Sequence, residues 1–178
     1  MPEQQKAKKG FTIIEVVLVL AIAGLIFLMV FLALPNLQRS QKDTQRRDDL
    51  ARFQTAITNY QSNNRGKLPG TDDKTPQNGQ TSYENFIKKY LTVNGDTFTD
   101  PDGTDYQISL VCTNFPSSDP NACKIQSEKD STFEENKHKI YIYQNATCDG
   151  ENIVKATGTR KMAFLYKLEG GGWYCGNN

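Results

Sequence analysis

The sequence predicts an α+β protein, in which a long N-terminal helix carries a small antiparallel β-sheet head and its hydrophobic first half protrudes from that head. Three observations support this class. An apolar run from Val16 to Leu34 contains no charged side chain. A later segment repeats apolar side chains every three or four residues, which is the spacing of one helix face: Leu50, Phe53, Ile57 and Tyr60. Short β-branched and aromatic segments, separated by glycine-containing turns, follow in the rest of the chain.

The apolar run is long enough to cross a membrane. A hydrocarbon core of about 30 Å needs about 20 apolar residues in a helix, and Phe11 to Leu34 meets that length. Its side chains are apolar on every side, as expected for a helix in lipid or within a bundle. A cleaved secretory signal is the alternative, but its apolar region has about 7–15 residues and ends in small residues. Leu32-Ala33-Leu34-Pro35 lacks that cleavage pattern, so we favour a retained helix.

The residues before this run combine a basic leader with a carboxylate in an apolar setting. Lys6, Lys8 and Lys9 outnumber Glu3, which predicts that residues 1–10 stay in the cytoplasm. Glu15 lies between Ile14 and Val16, where an ionisable group needs a cationic partner. A cut after Gly10 would create an amine on Phe11, one helical turn from Glu15. In a bundle of such helices, that amine of one copy could neutralise Glu15 of another.

The segment Gly10-Phe11-Thr12-Ile13-Ile14-Glu15, followed by the apolar run, resembles the class III signal of type IV pilins and pseudopilins. The resemblance implies cleavage of the Gly10–Phe11 bond by a prepilin peptidase, N-methylation of Phe11, and a role for Glu15 in filament assembly. It also implies the pilin fold, an assembly ATPase and a platform protein as partners, and a precursor in the cytoplasmic membrane that becomes a cell-surface filament. The alternative is a signal anchor whose Glu15 lies in the membrane interface, near the positive end of the helix dipole.

We divide the chain into four predicted parts. Residues 1–10 form the leader, 11–35 the transmembrane or filament-core helix, 36–64 its amphipathic continuation, and 65–178 the β-rich head with disulfides. Pro35 predicts a bend or boundary near Leu34. The mixed charges of residues 38–49 indicate either a solvated helix face or ion pairs between subunits, and the sequence leaves both readings open.

Within the head, a short helix is predicted from Ser82 to Val93. Strands are predicted at Tyr106–Cys112, Lys139–Gln144, Met162–Lys167 and Trp173–Cys175. Turn dipeptides at 94–95, 102–103, 149–150 and 170–171 favour an antiparallel sheet.

The four cysteines all fall in the predicted head. In an exported domain they indicate two disulfides, with three connectivities open. We favour Cys112–Cys123 together with Cys148–Cys175, each contributing about 2–4 kcal/mol by restricting the unfolded chain. Zinc is the alternative, but the chain has no C-x-x-C motif and one histidine.

A turn rich in aspartate suggests calcium. Asp100, Asp102 and Asp105 surround Pro101 and Gly103, and carboxylates around a glycine turn suit a hard cation. The turn is also similar to the aspartate-proline turn of some major pseudopilins. A plain β-turn is the alternative, because Asp, Pro and Gly are turn-forming residues. No other cofactor is suggested.

The remaining composition argues for a structural role. A net charge of +1 gives no strong signal for nucleic-acid binding. The one histidine and the absence of a phosphate-binding loop or nucleophile motif argue against an enzyme. We therefore predict a subunit of a type IV pilus-like filament that serves adhesion, motility, DNA uptake or secretion. The alternative is a membrane-anchored extracytoplasmic binding module that never polymerises, and the effect of removing the Glu15 carboxylate discriminates between them.

Overall fold

A computed structural model of the chain describes residues 10–70, 80–112, 115, 123, 133–158 and 160–178. Apart from Gly10, the predicted leader lies outside the described residues. The helices, in chain order, are α1 (Ile13–Asn63), α2 (Gln80–Tyr90) and α3 (Phe133–Asn136), with a 3-10 turn at Val93–Gly95. The strands are β1 (Gln107–Cys112), β2 (Lys139–Gln144), β3 (Ala146–Asp149), β4 (Asn152–Lys155), β5 (Met162–Lys167) and β6 (Trp173–Asn177).

The chain divides into two compact units, Met1–Arg39 and Ser40–Asn178. The apolar half of α1 lies in the first unit. The amphipathic half of α1 lies in the second unit, together with every other helix and strand named above. We call this second unit the head.

Helix α1 continues through Pro35, as the predicted helical continuation over residues 36–64 requires, and of the predicted bend or boundary near Leu34 the boundary does not occur. Proline lacks the amide hydrogen that bonds to the preceding turn, and its ring crowds that turn. The cost is local, however, and helices in membranes tolerate proline where neighbouring groups satisfy the freed backbone. The long helical segments on both sides of Pro35 therefore determine the backbone conformation at this position, and the proline does not end the helix.

The predicted α+β class is confirmed, and the sheet of the head is mixed. Four strands lie in the order β1-β2-β5-β6, and β3 and β4 form a separate two-stranded hairpin. β5 is antiparallel to both of its neighbours, whereas β1 runs parallel to β2. The antiparallel prediction therefore fails for this one pair. A parallel pair needs a crossover of a dozen or more residues, and the chain between Cys112 and Lys139 provides that length.

The core of the head lies between α1 and one face of the sheet. Phe53 is fully buried, with its ring centroid 5.2 Å from that of Phe164 on β5 and 5.8 Å from that of Phe86 on α2. Ile140 and Ile142 of β2 contribute to the same core. Burying such side chains stabilises the fold by about 1.5–3 kcal/mol each. The apolar spacing predicted for residues 50–60 thus places α1 on the sheet.

The opposite face of the sheet is also covered. Tyr141 and Tyr143 alternate with Ile140 and Ile142 along β2, and they enter a second apolar cluster with Trp173. Successive side chains of a strand point to opposite faces, so β2 is buried on both sides.

Candidate functional site

The first candidate site is the beginning of α1. Gly10 precedes the helix, and a Cβ atom placed on it would meet no described atom within 4 Å. Neither packing nor a left-handed backbone requires glycine at this position. The fold therefore leaves Gly10 free to serve another purpose, such as access of a peptidase to the following bond.

Thr12 and Glu15 form a capping box at the same end. The Glu15 Oε2 atom accepts hydrogen bonds from the Thr12 amide and from the Thr12 hydroxyl, each at 2.8 Å. In return, the Glu15 amide donates to the Thr12 Oγ1 atom at 3.4 Å. This reciprocal pattern satisfies donors at a helix end that would otherwise lack partners. Within the part of the chain described, Glu15 Oε1 has no hydrogen-bond partner.

The surface that follows Glu15 is apolar on every side. Every Val, Leu, Ile, Phe and Met side chain from Ile13 to Leu34 is exposed, and Leu34, the least exposed of them, is still 43% exposed. Soluble monomers seldom expose apolar patches of this extent. The helix has a window of mean hydropathy 3.2 and is long and apolar enough to cross a membrane. Such a surface is typical of a helix in lipid or within a bundle of apolar helices.

The second candidate site is a buried ion-pair cluster in the head, centred on Arg46. This side chain is 1% exposed. Its Nε and Nη2 atoms donate to Asp100 Oδ2 and Oδ1 at 2.7 and 3.0 Å, which is the bidentate geometry of a guanidinium and a carboxylate. The Nη1 atom donates to Asp43 Oδ1 at 2.9 Å and to Glu169 Oε2 at 3.0 Å. Both readings of residues 38–49, a solvated face or intersubunit pairs, are wrong for Asp43 and Arg46.

Further contacts hold the carboxylates of this Arg46 cluster. Asp43 accepts hydrogen bonds from the amides of Glu169 and Gly170 in the β5–β6 turn, at 3.0 and 2.7 Å. The Tyr166 hydroxyl donates to Asp100 Oδ2 at 2.8 Å. Burial alone would raise the pKa of Asp100, but the hydrogen bonds from Arg46 and Tyr166 hold it below its usual range. The cluster therefore joins α1, the Asp100 turn and the β5–β6 turn through the hydrogen bonds and ion pairs of Arg46 and Asp43.

The apolar spacing along α1 indicates that Arg46 is buried, although the mixed charges around it favour a surface position. Arg46 lies four residues before Leu50, and Leu50 precedes Phe53 by three, so all three side chains share one helix face. The buried face of α1 therefore continues beyond its apolar residues into Arg46 and Asp43. The sequence also does not indicate that His138 lies beside Asp100 and Asp102, because it follows α3 in a segment without a periodic pattern.

The three predicted calcium ligands do not come together. Asp100, Asp102 and His138 have potential ligand atoms within 4.8 Å of one another, whereas Asp105 lies outside this group, in an isolated bridge with Thr99. Asp102 Oδ2 is 3.0 Å from Lys137 Nζ and 3.2 Å from His138 Nε2.

The contacts of Asp100 and Asp102 are those of an ion-paired turn. Burial raises the pKa of Asp102, but the hydrogen bond from Lys137 and the Thr104 amide lower it to about 2. The Gly103 amide donates to the Asp100 carbonyl at 2.8 Å, and Gly103 has a φ of +90°, which favours glycine. Calcium binding by Asp100, Asp102 and Asp105 stays a prediction.

All four cysteines form disulfides in this structure. Cys112 pairs with Cys123, and Cys148 pairs with Cys175, with Cα atoms 5.2 and 5.9 Å apart. These are the two pairs favoured from the sequence, and they leave no thiolate for zinc. The second bond ties β3 of the hairpin to β6 at the edge of the main sheet.

A family model of known proteins matches the N-terminal part of the chain. Residues 5–31 match the family model of the prokaryotic N-terminal methylation motif, which spans Gly10, Phe11 and Glu15 and most of the exposed apolar run. Searches of curated proteins and of solved structures gave no match. The matched residues coincide with the features that the structure leaves unexplained by packing: an unconstrained glycine, a carboxylate at a helix start and an uncovered apolar helix. The chain therefore carries the prokaryotic N-terminal methylation motif, the class III signal of type IV pilins and pseudopilins, at the start of α1.

Proposed function

We propose that this chain is the structural subunit of a type IV pilus-like filament. It enters the cytoplasmic membrane as a precursor, is cleaved at Gly10–Phe11 by a prepilin peptidase, is N-methylated on Phe11 and polymerises through α1. The observation that carries the proposal is the uncovered apolar surface of Ile13–Leu34, which begins inside a methylation motif. In a filament, the same surface of neighbouring copies covers it.

Glu15 supplies the polar part of this assembly. A carboxylate within an apolar layer is costly, about 2.5–3.5 kcal/mol at a helix centre and less near an end. Thr12 satisfies only Oε2 in the isolated chain. The amine created on Phe11 of a neighbouring copy can pair with Oε1, which neutralises both charges and fixes the axial register of the two helices. A purely apolar helix surface would leave that register undefined.

Other parts of the machinery act in trans. Prepilin peptidase supplies the cleavage and the methyl transfer, and an assembly ATPase with a platform protein extracts the subunit from lipid. The motif is that of structural rather than catalytic proteins, and we assign no enzymatic activity to the chain. Filaments of this kind serve adhesion, motility, DNA uptake or secretion at the cell surface.

Mass spectrometry of material sheared from cells tests the proposal. The expected species begins at Phe11, is one methyl group heavier than its sequence and contains both disulfides. An uncut chain that stays in the membrane would overturn the proposal and favour a membrane-anchored binding module.

Two glycine variants give this experiment a matched control. Gly10→Leu and Gly24→Leu both add a side chain where the structure has open space. We expect Gly10→Leu to accumulate as an uncut precursor and Gly24→Leu to be cut normally. Normal cutting of both variants would contradict the assigned cleavage site.

A further inference from the structure

Two segments of the head carry positive charge and contain no carboxylate side chain. Residues 50–70, which include the end of α1, have three basic residues and no Asp or Glu: Arg52, Arg65 and Lys67. Residues 152–168, which include β4 and β5, have four basic residues and again no Asp or Glu: Lys155, Arg160, Lys161 and Lys167. The net charge of the whole chain is only +1, so its charges are unevenly distributed. A surface where the two segments meet favours anions.

The two segments meet in an open depression at the surface of the head, beside the end of α1. Its volume is about 520 Å³. One side is formed by polar residues of α1 and by Gly66, and the other side by Arg160, Lys161 and Asn178. The α1 residues are Thr58, Gln61 and Ser62. Two cationic side chains therefore line the depression, and no Asp or Glu lines it.

The main chain of Arg160 is held in place by two side-chain amides. Its carbonyl accepts hydrogen bonds from Gln61 Nε2 at 2.9 Å and from Asn178 Nδ2 at 3.1 Å. Asn178 Nδ2 also donates to Gln61 Oε1, so the two amides hold each other. Lys161 Nζ donates to the main-chain oxygen of Asn178 at 2.8 Å. These bonds link the cations of the depression to α1 and to the end of β6.

The guanidinium of Arg160 packs closely on Gly66. A Cβ atom placed on Gly66 would lie 2.8 Å from Arg160 Nη1, and Gly66 has a φ of +77°. Glycine therefore permits this close approach. The end of α1 is capped by its own backbone, since the Gly66 amide donates to the Gln61 carbonyl at 2.7 Å. Within the described part of the chain, the Arg160 guanidinium has no hydrogen bond or ion pair, although its position is fixed.

We propose that this depression binds a phosphate group carried by a larger molecule, that is, a phosphoester. Arg160 donates hydrogen bonds to the phosphate oxygens, because the planar fork of a guanidinium matches their geometry. Lys161 adds a second positive charge. The depression is much larger than a single phosphate group, which leaves room for the rest of the ester. This site lies within the head and does not depend on filament assembly.

A nuclear magnetic resonance titration tests the proposal and distinguishes the source of the phosphate. The protein is the isotope-labelled full chain in a neutral detergent, and the probes are glycerol phosphate and inorganic phosphate at constant ionic strength. We expect glycerol phosphate to cause saturable shifts of the amide signals of Gly66 and Lys161. Shifts that do not saturate, or that saturate with inorganic phosphate alone, would overturn the assignment of a phosphoester site.

Two arginine variants locate the site. Arg160→Gln should weaken the binding of glycerol phosphate at least about tenfold, because it removes charge-assisted hydrogen bonds to the phosphate. The control is Arg47→Gln, which removes an exposed arginine of α1 that does not line the depression. It should change the affinity less than about twofold at the same ionic strength. Equal weakening by both variants would show non-specific attraction and reject the site.

Two glycine variants test whether the fixed position of the guanidinium matters. Gly66→Ala introduces a Cβ atom against Arg160, whereas Gly95→Ala adds one in open space at a similar backbone angle, with a φ of +87°. Both variants carry comparable backbone strain, and both keep the positive charge. Gly66→Ala should weaken binding about threefold or more, because the guanidinium is displaced, and Gly95→Ala should leave it unchanged. Unchanged binding in both folded variants would contradict a preorganised Arg160 and overturn its assignment.

Discussion

Arg46 and Asp100 form a bidentate ion pair across 54 residues of sequence, with Nε 2.7 Å from Oδ2 and Nη2 3.0 Å from Oδ1. Both side chains are almost completely buried. The pair lies where α1 meets the turn that precedes β1, and it is the charged continuation of the apolar core. The core of the head therefore contains a buried ion pair in addition to its apolar side chains.

Replacing Arg46 should destabilise the head strongly. Arg46→Met leaves the Asp100 carboxylate buried without its cation, and we expect a loss of about 3–5 kcal/mol in the free energy of unfolding. Denaturant titration of the full chain, followed by fluorescence of the single tryptophan, Trp173, measures this loss. The neighbouring Arg47→Met is the control, since Arg47 is exposed and should cost less than about 1 kcal/mol. Equal losses would contradict a special role for the Arg46 cluster.

Acid should destabilise the head through Asp102. Its pKa is lowered to about 2 from the ordinary value of 3.8, so the folded state binds fewer protons than the unfolded state in this range. The stability that Asp102 contributes is complete above about pH 4 and is lost as the pH falls towards 2. Asp102→Asn should therefore flatten the rise of stability with pH in this window. An unchanged slope would contradict the ion pair with Lys137.

Asp49 should act with the opposite sign. Burial raises the pKa of Asp49, although the nearby Arg52 lowers it in part. The folded state then binds more protons than the unfolded state, so ionisation of Asp49 reduces stability as the pH rises. Asp49→Asn should steepen the rise of stability with pH in the acidic range, measured in the same unfolding experiments. A flattened profile would reject the assignment of a buried, unfavourably ionised carboxylate.

The Cys148–Cys175 disulfide should hold the hairpin β3–β4 to the sheet. Removing it with the double variant Cys148→Ser, Cys175→Ser should reduce the free energy of unfolding by about 2–4 kcal/mol. Hydrogen exchange in the hairpin should also accelerate. The variant Cys112→Ser, Cys123→Ser is the matched control: it loses a disulfide elsewhere and should leave exchange of the hairpin unchanged. Acceleration in both variants would show that the effect is global.

Glu15 should be required for filaments for a reason beyond helix capping. Glu15→Gln keeps the side-chain shape and removes the charge, and we expect assembled filaments to be lost or disordered on electron micrographs of sheared material. Thr12→Val removes the hydroxyl of the capping box and keeps the carboxylate. It should cost about 0.5–2 kcal/mol at the helix end and leave filaments in place. If both variants fail alike, Glu15 acts through the cap alone.

Calcium titration tests the ligand set predicted from the sequence. If the three predicted aspartates bind calcium, calcium at about 1–10 mM should raise the melting temperature, since extracellular modules bind calcium at about 10⁻⁴–10⁻³ M. The hydrogen bonds of Arg46 and Tyr166 to Asp100 oppose this binding, and an unchanged melting temperature would reject the ligand set. A rise in melting temperature that Asp105→Asn removes would establish the calcium site. Asp149→Asn controls for the general effect of removing an exposed carboxylate.

The elements predicted best from the sequence are those with a strong periodic signal. The spacing of Leu50, Phe53 and Ile57 predicts the buried face of α1, and β2 and β5 have the predicted bounds. The N-terminal methylation motif was recognisable because its chemistry depends on a short contiguous segment, and the family comparison agrees. Local patterns are sufficient for such features.

Features set by distant contacts could not be predicted in this way. The hairpin β3–β4 has only four residues in each strand, and Cys148 and Asp149 carry little strand signal, although the Asp149-Gly150 turn was visible. The parallel pairing of β1 depends on the path of the chain rather than on the composition of the strand. The helix-face spacing indicates that Arg46 is buried, but no local rule predicts its distant partners Asp100 and Glu169.

The links from α1 to the β5–β6 turn and to β6 also determine when the head can fold. Arg46 bonds to Glu169, and Gln54 bonds to Asn177, each across 123 residues. These bonds of α1 therefore form only after the chain has been synthesised as far as Glu169 and Asn177. Folding dominated by such non-local contacts is slow, and the intermediate exposes apolar surface meanwhile. The contacts that complete the head therefore form only after β6 has been synthesised, so the amphipathic half of α1 stays without its packing partners until then.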